Sequence, residues 1–256
     1  MEFVATYHTD VGLTKKTNQD SLALKIVEIC NEKVAFGVVC DGMGGLSKGE
    51  LASKEVIYAF CDWFDNILLK DIEKGIFDES RLVLQWNDVV QSQNKKLGIY
   101  GKENNITLGT TISAILFFRD MYYIVHVGDS RIYRMDDKVT MLTHDQTFVA
   151  REIAAGRMTE EQAKTDSRRS VLLQCIGASP IVEPEFSKGE VKKDTVYVLC
   201  SDGFRHQISD VEMMEKLGPT VVSDQEKMKV GCIYLTELIK DRKETDNISV
   251  AVIKVM

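Results

Sequence analysis

At 256 residues, with 44% apolar and 28% charged side chains, the chain can bury a large core, and 3 prolines without a Gly/Ser-rich tract leave little to build a linker from, so a single domain over 1–256 is expected. The formal charge of −7 is dispersed without a basic stripe, which excludes nucleic acid as an expected ligand. The longest apolar runs, such as Ile112–Phe118, fall far short of a bilayer, and residues 1–10 lack a basic stretch followed by a long apolar one, so a soluble cytoplasmic protein is expected.

Short runs rich in β-branched and aromatic residues predict strands over 2–9, 21–29, 34–40, 111–118, 122–127, 131–135, 139–142, 195–200 and 248–255. Between the third and fourth runs the periodicity becomes helical. Ala52, Val56, Phe60, Trp63 and Ile67 form one apolar stripe and Val83, Trp86, Val90 and Leu97 another, which predicts two long helices. Short helices are expected within 147–164, and a second helical pair over 210–217 and 225–240. Strand clusters alternating with helix pairs imply an α+β fold, an αββα four-layer sandwich of two antiparallel sheets flanked by helix pairs. The six cysteines (Cys30, Cys40, Cys61, Cys175, Cys200, Cys232) form no C-x-x-C pair, so neither zinc nor a disulfide framework is expected and most should be buried and reduced.

Carboxylates stand at four predicted strand ends. Val38-Val39-Cys40 runs into Asp41-Gly42-Met43-Gly44-Gly45, and Val198-Leu199-Cys200 runs into Ser201-Asp202-Gly203. Asn18-Gln19-Asp20 precedes one strand and Asp246-Asn247 precedes the last. Each alone is an ordinary turn sequence. Together, if they converge, they repel unless cations sit between them, and an all-oxygen set without His or Cys suits Mg²⁺ or Mn²⁺ better than zinc. Two such ions about 3.5–4 Å apart can activate water and clamp a phosphoryl oxygen, the chemistry of phosphate-ester hydrolysis.

Gly12 with Lys15, Asn18-Gln19-Asp20-Ser21, Asp41-Gly42-Met43-Gly44-Gly45, Gly109-Thr110-Thr111, Gly128-Asp129-Ser130-Arg131, Ser201-Asp202-Gly203 and Asp246-Asn247-Ile248 occur in this order across nearly the whole chain. The series resembles the metal-dependent serine/threonine protein phosphatases of type 2C, in particular their bacterial branch. The resemblance implies direct hydrolysis of phosphoserine or phosphothreonine by a metal-bridging hydroxide, without a phospho-enzyme. Asp41 would bridge two ions, the Gly42 carbonyl would complete one site, Asp202 and Asp246 the other, and Asp20 would orient water. Asp129 either turns the chain between strands or, as in bacterial relatives, helps hold a third ion together with Asp202. Residues 143–177 align with the family's flap. Phosphorylated proteins would be the substrates, a serine/threonine kinase the opposing partner, and a monomer the expected state.

Several positions depart from the family's pattern. Lys15 stands where an arginine usually binds the substrate phosphate, offering a point charge in place of a planar fork. Gln19 replaces an acid found in many eukaryotic members, and Met43 a histidine that some of them use as a general acid. His144-Asp145-Gln146 and Arg205-His206 also differ from the usual residues. Lys15 and Gln19 keep open an alternative of another class, a catalytically impaired relative serving as a phosphoprotein-binding or scaffolding module. Gly45-Leu46-Ser47-Lys48-Gly49 spells the G-x-S-x-G of serine hydrolases but does not leave a strand directly. The glycines from 42 to 49 spell neither the dinucleotide nor the P-loop pattern. His8, His126 and His206 lack metal-ligand spacing and are expected to be structural.

Overall fold

The apolar runs pair into two five-stranded antiparallel sheets in a computed structural model that describes residues 1–44 and 48–256. The 45–49 serine-hydrolase pattern lies largely outside the described residues. One sheet has the order β1 (Phe3–Asp10), β12 (Ile248–Val255), β11 (Thr195–Cys200), β8 (Arg131–Met135), β9 (Val139–Met141). The other has the order β10 (Glu185–Glu190), β7 (Met121–Val127), β6 (Ile112–Phe118), β3 (Glu32–Cys40), β2 (Ser21–Ile29).

Burial explains why β3 and β12 read as almost unbroken apolar runs: both of their faces are covered. With the two-residue period of a strand, Ala35 and Val39 of β3 meet Ala251, Ile253 and Val255 of β12 in the core between the sheets, with Phe117, Tyr197 and Leu199. The alternate residues Val34, Phe36, Val38 and Cys40 face a helical layer made by α1 (Gly49–Trp63), α2 (Leu69–Glu73) and α3 (Glu79–Asn104). On the far side, Ile248, Val250 and Val252 pack against α7 (Asp210–Leu217) and α8 (Gln225–Asp241). The result is the predicted four-layer sandwich.

The first helical stripe needs a correction. A π-helical turn, Phe64–Leu68, joins α1 to α2, and its extra residue per turn moves Phe64 and Leu68 inward while Ile67 faces solvent at 40% exposure. In the second stripe Leu82 takes the buried place assigned to Val83, and Trp86 of α3 meets Trp63 of α1 edge-on at 5.5 Å. Three strands escaped the sequence reading: β4 (Gly42–Gly44), β5 (Leu108–Thr110) and β10. The first two form a three-residue ribbon and the third is a polar edge strand, so none shows an apolar run. Within 143–177, α4 (Phe148–Ala154) and α5 (Glu160–Thr165) are the expected short helices, and the Arg168 guanidinium lies over the Phe148 ring at 4.2 Å.

Cys40, Cys175, Cys200 and Cys232 are buried, Cys61 is half-buried and Cys30 exposed, and all are free thiols. No helix among the described residues is long and apolar enough to cross a membrane. α7 starts with a reciprocal cap legible as S-x-x-E: the Glu212 amide donates to Ser209 Oγ and the Ser209 amide to Glu212 Oε2. Ser209→Ala should cost about 1 kcal/mol, read as a shift in the urea midpoint at unchanged slope.

Candidate active site

Antiparallel pairing brings the acidic turns to one end of the two sheets. β3 ends at Cys40 opposite Ser21, so Asp41 and Asp20 emerge together. β11 ends at Cys200, opposite Val250 of β12 and Arg131 of β8. Beyond those positions lie Asp202, which opens the four-residue helix α6 (Asp202–Arg205), Asp246 just ahead of β12, and Asp129 between β7 and β8.

Polar side chains fix the backbone around several of the acids. The Asp41 amide donates to Thr111 Oγ1 at 2.9 Å, and the Asp41 carbonyl accepts from the Thr111 amide and Thr110 Oγ1, both at 2.9 Å. Asn247 Oδ1 accepts from the Gln19 amide, and its Nδ2 donates to the carbonyls of Val11 and Thr17, joining the first turn to the last. Glu244 Oε1 accepts from the amides of Thr245 and Asp246. Two glycines allow the backbones to close. A Cβ on Gly42 would lie 2.2 Å from the Gly49 carbonyl oxygen, and one on Gly203 2.2 Å from that of Asn247. Gly203→Ala should therefore displace the Asp246-Asn247 turn and lower the Tm by several degrees, measured by differential scanning calorimetry.

The electrostatics disfavour leaving these acids ionised and unpaired. Burial, reinforced by the charges of Asp20, Asp202, Asp129 and Asp246, pushes the Asp41 carboxyl well above its ordinary pKa. Burial, with Asp202 and Asp246 adding to it, outweighs the nearby Ser249 and Ser201 hydroxyls and raises Asp20 to about 7. Burial and then Asp202 raise Asp129 to about 7. Both oxygens of Asp20 and Oδ1 of Asp202 are buried without a hydrogen-bond partner among the described residues. Orphaned buried carboxylates are costly unless something pairs them. Lys15 Nζ lies 3.0 Å from Asp246 Oδ1, both side chains being 39% exposed. Burial would lower the Lys15 pKa, but its hydrogen bond to Asp246 and the charges of Asp41 and Asp202 outweigh this and raise it. Among the described residues no three His, Cys, Asp or Glu side chains are grouped closely enough to hold a metal ion as they stand. The unpaired, mutually repelling oxygens are nevertheless the chemistry that a hard divalent ion fits.

Asp129 has a different neighbourhood. Arg205 Nη2 lies 3.5 Å from its Oδ2 and 3.3 Å from Oδ2 of Asp145, which in turn receives a two-pronged contact from Arg131 at 2.8 and 2.7 Å. Sequence reasoning singled out Asp145 and Arg205 only as separate departures and missed that they pair, and it missed Glu244, which lies in no family-like motif. His126 is fully buried and satisfied, with Nδ1 2.9 Å from Ser113 Oγ and Nε2 3.0 Å from the His144 carbonyl. His206 lies 3.8 Å from Glu244 and 4.0 Å from Asp202, with burial holding its pKa below the ordinary value. A cavity of about 800 Å³ lies elsewhere, between α3 and the turn at Gly177 to Pro180; its ionisable lining is Lys95 and Lys102, with no acid, so the chemistry is not there.

A sequence model described as protein phosphatase 2C matches residues 7–230. The chain belongs to the protein phosphatase 2C family. It is 29% identical over 249 residues to a putative protein phosphatase 2C-type of Streptococcus pyogenes, covering 96% of this chain and 94% of that protein. It is 30% identical over 251 residues to the serine/threonine protein phosphatase PstP of Mycobacterium tuberculosis, covering 97% of this chain but 44% of PstP. Among solved structures, the catalytic domain of PstP in complex with two manganese ions superposes with a TM-score of 0.79 at 28% identity, covering all of both chains. The two sheets with helices outside them are thus the fold of protein phosphatases 2C.

Proposed function

We propose that this chain hydrolyses phosphoserine and phosphothreonine esters in proteins, using Mn²⁺ or Mg²⁺ ions held by Asp41, the Gly42 carbonyl, Asp202 and Asp246. The observation that carries the reading is the set of acids at one sheet end, in which the buried Asp20 and Asp202 present unpartnered oxygens. The relative PstP has been solved with two manganese ions, which supports a two-ion centre here. Bound divalent ions would supply a nucleophilic hydroxide at neutral pH and positive charge for the phosphoryl oxygens.

The chain's own groups do the rest. Lys15, half-exposed beside Asp246, can swing its ammonium onto the incoming phosphate dianion as a flexible point charge. Asp20, acceptor-only when ionised, orients water. Met43 has no proton to donate to the departing serine or threonine oxygen, so that proton comes from water. Nothing among the site's residues favours an impaired scaffold, since the sequence retains Asp20, Asp41, Asp202 and Asp246. Residues 143–177 would border the substrate as a flap, a serine/threonine kinase would supply the phosphoprotein, and the protein would act as a cytoplasmic monomer.

Chelator-treated protein should be inert toward p-nitrophenyl phosphate, and millimolar Mn²⁺ should restore turnover by roughly 10²-fold or more. Equal rates with and without the chelator would sink the reading. Lys15→Ala should raise KM for a phosphopeptide about tenfold with a smaller loss in kcat, because the lost contact is made to the phosphate already in the ground state.

A further inference from the structure

The acids at this sheet end divide into two groups with opposite charge balance. Among the described residues, Asp20, Asp41, Asp202 and Asp246 face a single ammonium, that of Lys15, which is partly exposed and free to leave. Asp129 and Asp145, by contrast, are matched by two guanidinium groups. Arg131 grips Asp145 through Nε and Nη2 and donates Nη1 to the Tyr133 hydroxyl at 2.9 Å. Arg205, with its side chain only 11% exposed, spans Asp145 at 3.3 Å, the Asp129 carbonyl at 3.3 Å and Asp129 Oδ2 at 3.5 Å. Two acids and two guanidiniums close a quartet.

We propose that Arg205 is a built-in cation that occupies the place an ion would take beside Asp129 and confines this chain to two divalent ions, so that Asp129 is a positioning residue and not a metal ligand. The proposal rests on the divalent-cation reading of the neighbouring acids. An ion at Asp129 would have to sit against a positive guanidinium or expel it, and the expelled group would be left buried with its Nε already unpartnered. The unpaired oxygens of Asp20 and Asp202 offer no such obstacle, so cations are drawn to that side. The quartet also ties Asp145, at the root of the 143–177 segment, to Arg205 at the end of α6, which begins with Asp202. The sequence departures at Asp145 and at Arg205, separate along the chain, are thus partners in space.

The test is the Mn²⁺ stoichiometry of the full chain, stripped with chelator and titrated by isothermal calorimetry, with bound metal counted by atomic absorption after equilibrium dialysis. Wild type should bind two ions, Asp129→Asn should still bind two, Arg205→Lys should keep two, and Arg205→Ala should admit a third. Three ions on the wild type, falling to two in Asp129→Asn, would overturn this inference alone. An Arg205→Ala protein that folds and still holds two ions would overturn it as well. If Arg205→Ala does not fold, the comparison of wild type with Asp129→Asn decides. A wild type that binds no Mn²⁺ overturns the cation reading, and this inference with it.

Discussion

Asp41→Asn should abolish phosphate-ester turnover, by roughly 10³-fold or more, while making the metal-free protein more stable. The two effects have one cause. The charges of Asp20, Asp202, Asp129 and Asp246 all act on Asp41 in the same sense as burial, so without ions its ionised form is repelled. A neutral amide of the same shape removes that repulsion and also removes the ligand expected to bridge the ions. Relief of about 1–2 kcal/mol would raise the Tm by roughly 3–6 °C in chelator, read by differential scanning fluorimetry. Asp202→Asn should behave alike. A variant that kept near-normal turnover, or lost both activity and Tm, would show that Asp41 serves the fold and not the chemistry.

Stability without metal should fall as pH rises from about 4 to 7, and Mn²⁺ should reverse the trend. In the folded protein Asp20 and Asp129 titrate at about 7, and Asp41 well above its ordinary value of 3.8. In the unfolded chain each releases its proton near 3.9. Within this window the folded state holds protons that the unfolded state has given up, so each rise in pH favours unfolding. The opposite case is Asp145, which Arg131 and Arg205 hold below its ordinary pKa although burial opposes them; its contribution is lost only as pH falls below about 4. Mn²⁺ binds the deprotonated carboxylates, so its effect should be small at pH 5 and largest near pH 8. At about 100 times the dissociation constant it is worth about 2.7 kcal/mol, or roughly 5–10 °C. A Tm gain from Mn²⁺ that did not grow with pH would count against the acids as its binding site.

Much of this was legible in the chain itself. Central strands such as β3 and β12 are buried on both faces, so their apolar runs are long and unambiguous. The acids Asp20, Asp41, Asp202 and Asp246 were legible because each interrupts or flanks such a run. The three-residue ribbon of β4 and β5 was not, since its pairing comes from glycine backbones and leaves no apolar pattern.

Local sequence, then, determined the layers and the residue types at the strand ends, because periodicity and turn chemistry act over a few residues. Tertiary structure alone decided which charges meet: the π turn that rotates Ile67 outward, the Thr110 and Thr111 contacts that hold Asp41, and the Arg205–Asp145 contact across 60 positions of chain. Coulombic partnership depends on distance in space, and no period along the sequence encodes it.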